Sequence, residues 1–398
     1  MDRNDVVIVA AKRTPIGSFL GVFASLTAPE LGAYAHVAAI QQSQINPSEL
    51  SEIISGCVLQ AGLGQAPARQ AALRAKIPES VGATTINKMC GSGMQAVMLA
   101  YGLIKADETK IILASGMESM SNAPHLFMKS RTGIRIGNAE LKDSMYLDGL
   151  EDAYDHGKLM GYFAEATAGD FNFSREDQDH YAANSLKLAL KAQAEGSFAQ
   201  EIQPINIQGR TTTTLVELDE GPNPNKFSKI STLKPNFKPD GTITAANSSS
   251  ISDGAASLIV MNYIQAQQRG IIPLAKIVAI ANHAQTPATF PTAPITAIQK
   301  VLVKAGWKLQ DVDLFEINEA FAVVVMAAIH QLKLDASRVN IHGGACILGH
   351  PIGASGARII VTLIYALAQQ KKRTGIAAIC IGGGEATAIA IENVGLLC

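Results

Sequence analysis

Unbroken apolar runs, each closed by glycine or a polar turn, alternate along this chain with segments whose apolar positions recur at helical spacing. Val6 to Ala10 is the first such run, as expected of a strand buried on both faces. Ala28 to Gln42 is helical in pattern, Ile53 to Val58 reads as a strand and Pro67 to Lys76 as a helix. Thr84 to Met89 is extended, Met94 to Ile104 helical, and Lys110 to Gly116 another buried strand. A second series starts at Leu274. It holds strands at Ala275 to Ala281, Leu314 to Ile317 and Gly375 to Ile381, and helices at Ala293 to Ala305, Phe321 to His330 and Ser355 to Ala368. Ala386 to Val394 is the last apolar run. This alternation predicts an α/β fold with a largely parallel sheet covered on both faces.

Between the two series the pattern weakens. From Met117 to about Ser248 the chain is more polar and turn-rich, an excursion from the sheet. Within it, Ser174 and Asp177 make a capping-box start for a helix over Arg175 to Glu195. The two apolar series share an order: each reaches a glycine-rich loop with a reactive side chain, then a helix, then a buried strand. Those loops are Cys90-Gly91-Ser92-Gly93 and Gly349-His350-Pro351-Ile352-Gly353. The shared order implies a duplicated unit with the two loops meeting near a pseudo-twofold axis. The expected division is a first lobe over residues 1–117 and 249–270, an insertion over 118–248, and a second lobe over 271–398.

Composition narrows the function classes. A chain of 398 residues with 47% hydrophobic and 17% charged side chains suits a large, well-buried α/β protein that assembles as a homo-oligomer. The net charge of −1 gives no electrostatic footprint for nucleic acid or an anionic membrane. Cys57, Cys90, Cys346, Cys380 and Cys398 are an odd, sparse set, which argues against a disulfide framework and for a reducing compartment. No apolar signal segment precedes Val6, and no apolar run is expected to reach membrane-spanning length. Gly395-Leu396-Leu397-Cys398 is neither a peroxisomal tripeptide nor a prenylation box. A cytoplasmic location is expected.

Four side chains could carry chemistry. Cys90 lies between an apolar extended run and a helix, where the dipole and free N–H groups at the helix mouth favour a thiolate; the competing reading is a buried, inert cysteine. His350 lies in a loop whose glycines leave it little cover, so a reactive imidazole competes with a structural one. Asn318 opens a helix as a cap or a site residue. Cys380 ends a buried strand before Gly382-Gly383-Gly384, where α/β proteins build sites. No Cys-x-x-Cys or His-x-x-x-His pair suggests a metal, and no glycine-rich run ends in Gly-Lys-Ser/Thr.

Taken in order, Ile86-Asn87-Lys88-Met89-Cys90-Gly91-Ser92-Gly93, Asn318-Glu319-Ala320-Phe321, Gly349-His350-Pro351 and Cys380-Ile381-Gly382-Gly383-Gly384 resemble the signatures of the thiolase family. Arg13-Thr14-Pro15-Ile16-Gly17, Gly116-Met117-Glu118-Ser119-Met120-Ser121, Asp148 to Ala153 and Asp240 to Ala245 extend the resemblance nearly end to end. It implies two βαβαβαββ lobes in a five-layered α/β/α/β/α core, with an inserted loop domain that holds coenzyme A, in a tetramer or dimer. It implies an acyltransferase that joins two acetyl-CoA into acetoacetyl-CoA and CoA, with no cofactor or metal. By the same resemblance Cys90 is the acyl-accepting nucleophile, His350 its base and Cys380 the base for the second substrate. His350 and a water on Asn318 hold one oxyanion, and the backbone N–H groups of Cys90 and Gly382 hold the other. Met160, Phe237, Ser249 and Phe321 fall at positions that bind the coenzyme, and Lys226 or Lys229 is expected to supply the charge of an arginine common at Asn223. Leu159, Asn223 and Glu385-Ala386 depart from the family pattern. The alternatives are a degradative 3-ketoacyl-CoA thiolase, a non-catalytic subunit of the same fold, and a cysteine hydrolase, which would leave Cys380 without a task.

Overall fold

β1 (Val6–Arg13) runs through the middle of the molecule, buried along almost its whole length. The computed structural model describes residues 1–209 and 211–395, so Cys398 and the sorting signals considered at the C-terminus lie outside the described residues. After β1 come α1 (Ala28–Ser43), β2 (Glu52–Gly56), α2 (Pro67–Arg74), β3 (Gly82–Ile86), α3 (Ser92–Ala106) and β4 (Ile111–Ser119). The excursion contains α4 (Met160–Asp170) and α5 (Arg175–Ala194), the latter opened by the expected Ser174–Asp177 capping box. β5 (Ser252–Asn262) returns to the core. The second series is β6 (Ala275–Ala284), α6 (Ala293–Ala305), β7 (Leu314–Ile317), α7 (Ala322–Leu332), α8 (Ile352–Gln369), β8 (Thr374–Ile381) and β9 (Glu385–Asn393). β4 runs to Ser119, two residues past the expected boundary at 117, and β5 starts at Ser252, inside the expected return over 249–270.

The strands lie in the order β7-β8-β9-β6-β1-β5-β4-β2-β3, with Gly17–Ser18 added beside β5. The duplication is visible in this order. Outward from the middle, β1, β5, β4, β2, β3 match β6, β9, β8, β7 and a parallel bridge from Phe315 to Val339. β1 and β6 meet only through Val6–Ile277, Val7–Lys276 and Ile8–Ala275, so the ladder is two halves joined at a narrow seam. α3 packs on β4 of one half and β9 of the other, and α8 on β4, β5, β7 and β8. A helical layer therefore lies between the halves. α1 and α2 cover the outer face of the first half and α6 that of the second, giving five layers.

The sheet is not largely parallel, as the alternation had suggested. Only β2–β3, β2–β4 and β7–β8 are parallel. β1–β5, β5–β4, β1–β6, β6–β9 and β8–β9 are antiparallel. Parallel pairing needs a crossover, and only the α2, α3 and α7–α8 connections supply one. β8 and β9 are joined by Gly382, Gly383 and Gly384, a turn too short for anything but a hairpin. Its φ values of +92° and +88° at Gly383 and Gly384 suit glycine.

α8 also corrects an expectation. Its 18 residues are long and apolar enough to cross a bilayer, contrary to the reading that no run is. Yet 89% of them are buried between the halves, so protein covers the faces that lipid would need. Glycines let α3 and α8 touch at their first turns. A Cβ on Gly356 would lie 2.5 Å from the backbone N of Met94, and one on Gly93 2.7 Å from that of Ala357. The two reactive loops, one before each helix, are thereby brought to the same region.

Candidate functional site

The site is assembled from the turns that precede α3 and α8, the end of β7 and the hairpin between β8 and β9. Cys90 sits in a tight turn. Met89 is held at φ +46°, Gly91 N–H donates to Lys88 O at 3.1 Å, and Ser92 Oγ donates to Met89 O at 2.6 Å. α3 begins at Ser92, two residues earlier than the pattern suggested, so the thiol is two residues from the helix. A Cβ on Gly91 would strike Ile381 Cδ1 at 2.4 Å; the bare α-carbon lets the hairpin press against the turn. The backbone N–H groups of Gly382 and of Cys90 itself lie near the Cys90 sulfur and favour its anion.

The dipole does not win at rest. Cys90 as a residue is only partly buried, but desolvation of its sulfur pushes the thiol up to about 11. The N–H groups of Gly382 and Cys90 oppose this, and the nearby Glu118 carboxylate adds to it. The expected thiolate is therefore a thiol at neutral pH. Iodoacetamide should modify the Cys90 peptide about tenfold faster per pH unit from pH 7 to about pH 10. A rate that levels off below pH 8 would mean a thiolate–imidazolium pair instead.

Cys380 is the penultimate residue of β8, buried and paired across the ladder with Ala386. Burial pushes its thiol well above the ordinary value, and its proximity to Cys90 pushes it further, so it too rests protonated. Ala386, a departure from the family pattern, fits without distortion as Cys380's ladder partner.

His350 is buried, and its backbone N–H donates to Ser250 O at 3.1 Å. Its Nδ1 lies 2.6 Å from Ser355 Oγ, whose own proton goes to Pro351 O at 3.0 Å. Nδ1 therefore carries the hydrogen and Nε2 the lone pair, as a base requires. Nε2 is buried with no partner among the described residues. Burial, helped by the Arg358 charge, lowers the imidazole to about 3, so it is neutral at rest.

Asn318 follows β7 and is not a helix cap. α7 starts at Ala322 with Phe321 at the capping position. Both polar atoms of the Asn318 amide are buried without a partner among the described residues. Such a group normally holds a water or a ligand.

A cleft of about 630 Å³ opens beside these groups, lined by Met160, Phe237, Ser249 and Phe321 together with Leu159, Phe19 and Ser250. Phe237 and Phe321 meet edge to face at 6.0 Å, and the ring of Phe237 occupies the space a Cβ on Gly161 would need. Its inner end reaches the reactive groups through Met160, whose sulfur is 3.3 Å from a Cβ placed on Gly382, and through Ser250, which holds His350. Lys226 does not line it. Its ammonium donates to Gly221 O at 2.7 Å, and burial lowers its pKa. Asn223 caps the adjacent turn by accepting from Asn225 N–H at 2.9 Å, and Leu159 lies in the cleft wall.

Two carboxylates matter that the sequence reading quoted without assigning. Glu118, fully buried, accepts N–H bonds from Val58, Leu59 and Gly353 at 2.9–3.1 Å, tying the turn after β2 to the start of α8. Burial lifts it to about 7 against those bonds. Glu319 accepts from Tyr181, Ser185, Asn340 and the backbone of Cys346. Their only signal was position, each inside a motif whose neighbours drew attention. Among the described residues no three His, Cys, Asp or Glu side chains gather as a metal would need.

Family models for the N-terminal domain of thiolase and the C-terminal domain of thiolase match residues 6–263 and 271–393. An acetyl-CoA acetyltransferase of Schizosaccharomyces pombe is 46% identical over 397 residues, 99% of this chain and 100% of its own. The crystal structure of the Bacillus anthracis acetyl-CoA acetyltransferase superposes with a TM-score of 0.96 at 39% identity, covering 98% of this chain and 99% of that one. The Acat5 thiolase from Ascaris suum, in complex with coenzyme A, gives 0.92 at 41% identity, over 98% of this chain and 100% of that one.

Proposed function

The chain belongs to the thiolase family, and we infer from that premise how its side chains divide the work of an acetyl-CoA C-acetyltransferase. The enzyme condenses two acetyl-CoA to acetoacetyl-CoA and CoA, reversibly. The observation that carries the assignment is the convergence on Cys90 of a second cysteine, Cys380, and of the Gly382 hairpin, whose N–H favours the Cys90 anion and whose Ile381 packs on Gly91.

Both thiols and the imidazole start uncharged. Nε2 of His350 takes the Cys90 proton as the sulfur attacks the first thioester. The carbonyl oxygen becomes an oxyanion held by the N–H groups of Cys90 and Gly382, each worth roughly 2.7–4 kcal/mol in the transition state. As the carbonyl re-forms, the departing CoA sulfur takes its proton from Cys380. Cys90 is now acetylated and Cys380 is a thiolate. The thiolate draws a proton from the methyl carbon of a second acetyl-CoA. The enolate oxygen is held by Nε2–H of His350 and by a water on Asn318, whose orphaned amide suits that task. The new carbon–carbon bond forms at the acetyl-Cys90 carbonyl. Cys90 leaves and recovers its proton from His350; Cys380, which gave its proton to CoA, has been re-protonated by the substrate methyl, so the enzyme returns to its starting state.

Met160, Phe237, Ser249 and Phe321 are proposed to line the pantetheine channel. Coenzyme A thioesters are the substrates, with no separate cofactor, in a cytoplasmic homo-oligomer. Incubation with acetyl-CoA should add the mass of one acetyl group to the Cys90 peptide and release acetoacetyl-CoA. No adduct at Cys90 would overturn the reading in favour of a non-catalytic subunit. Leu159 makes the cleft wall apolar where a short-chain enzyme often has histidine. Faster thiolysis of long 3-ketoacyl chains than of acetoacetyl-CoA would favour a degradative thiolase.

A further inference from the structure

We propose that the ion pair between Lys88 and Glu385 is a positioning element of the acyl-transfer site, fixing the spacing between the two N–H donors of the Cys90 oxyanion. This rests on Cys90 being the acylated residue. The two donors belong to opposite halves of the molecule: Cys90 to the turn after β3, Gly382 to the hairpin after β8. Neither half alone makes an oxyanion hole. Its donors act at full strength only when preset to the place where charge develops, and small displacements are costly in rate.

Lys88 and Glu385 join these segments directly, ammonium to carboxylate. The backbones at both ends are fixed. Lys88 N–H donates to Ser92 Oγ at 2.8 Å, and its carbonyl accepts from Gly91 N–H, so it belongs to the framework of the Cys90 turn. Glu385 opens β9 in register with Ile381 on one side and Ala284 on the other, so it moves with the hairpin that carries Gly382. Ile381 lying on Gly91 brings the segments together, but apolar contact permits sliding; a charge pair with fixed ends sets a register. The lysine is 27% and the glutamate 36% exposed, so the pair adds little to global stability and is open to screening. Its effect is on the rate of acyl transfer. The glutamate is also where this chain departs from the family pattern beside Cys380, and the pair gives that departure a use.

The test measures acetyl-Cys90 formation by rapid quench in the full-length enzyme at saturating acetyl-CoA, with melting curves as a folding control. Lys88→Met and Glu385→Gln should each slow acylation about tenfold while leaving KM for acetyl-CoA within about twofold. The exchanged pair, Lys88→Glu with Glu385→Lys, should recover most of the rate. Added NaCl should slow the unaltered enzyme toward the single variants and leave those variants unchanged. Unchanged acylation in the single variants, an effect confined to KM, or an exchanged pair as slow as its parents would overturn the proposal. If a variant does not fold, the salt series on the unaltered enzyme decides alone, and a flat rate overturns it. An unaltered enzyme that forms no acetyl-Cys90 would overturn the acyl-transfer reading itself, a distinct outcome.

Discussion

Cys90→Ala should abolish both condensation and thiolysis, lowering kcat by at least about 10⁴-fold, while the protein still folds and binds coenzyme A. The size of the effect follows from what the substitution removes. Without the sulfur there is no atom to accept the acetyl group, and the N–H groups of Cys90 and Gly382 have no oxyanion to hold. The remaining side chains cannot substitute. Cys346 lies buried beside Glu319 and Cys57 beside Glu118, each held away by its own contact. Folding should survive because the change removes one partly buried sulfur and leaves intact the hydrogen bonds of the turn, which are made by backbone atoms and Ser92. Steady-state assays of both directions, with coenzyme A binding by calorimetry, check it. Retained thiolysis would show that another group is the nucleophile.

Cys380→Ser separates the two half-reactions. A serine hydroxyl fits the pocket but is far too weak an acid to be left as its anion by a departing thiolate, so the base for the second substrate is never generated. Cys90 should still acquire an acetyl group, because His350 takes its proton and the oxyanion donors are untouched. Condensation should fall by about 10²–10⁴-fold, the usual contribution of a general acid–base group. The acetyl-enzyme should accumulate, visible by mass spectrometry of the Cys90 peptide in the absence of product. Loss of acylation together with condensation would show that CoA cannot leave without the Cys380 proton, so that the two half-reactions are not separable at this residue. The hydroxyl is also buried, so the melting temperature is measured alongside; Cys380→Ala, which buries no hydroxyl, tests the same step.

Particular residues show how far the sequence carried. Ala293–Ala305 and Leu314–Ile317 have the bounds that apolar spacing alone predicts, because helix and strand periodicity are local properties. The shared order of the two series led to the duplication, which the matched strand orders display. Of the two readings of Asn318, the cap falls away because capping depends on where a helix starts, and α7 starts four residues later. Lys226 was assigned to the coenzyme as a stand-in for an arginine common at Asn223; its ammonium donates to Gly221 O, a contact set by how the turn folds back.

Residue type and spacing along this chain thus determined its elements, its repeat and which side chains could do chemistry, since those depend on neighbours a few positions away. Strand direction, protonation and convergence were decided only in three dimensions. The β8–β9 hairpin makes the sheet mixed, desolvation outweighs the helix mouth at Cys90, and Ser355 selects the tautomer of His350. Each of these depends on how much water is excluded and which groups meet across distant segments, and no local pattern encodes either.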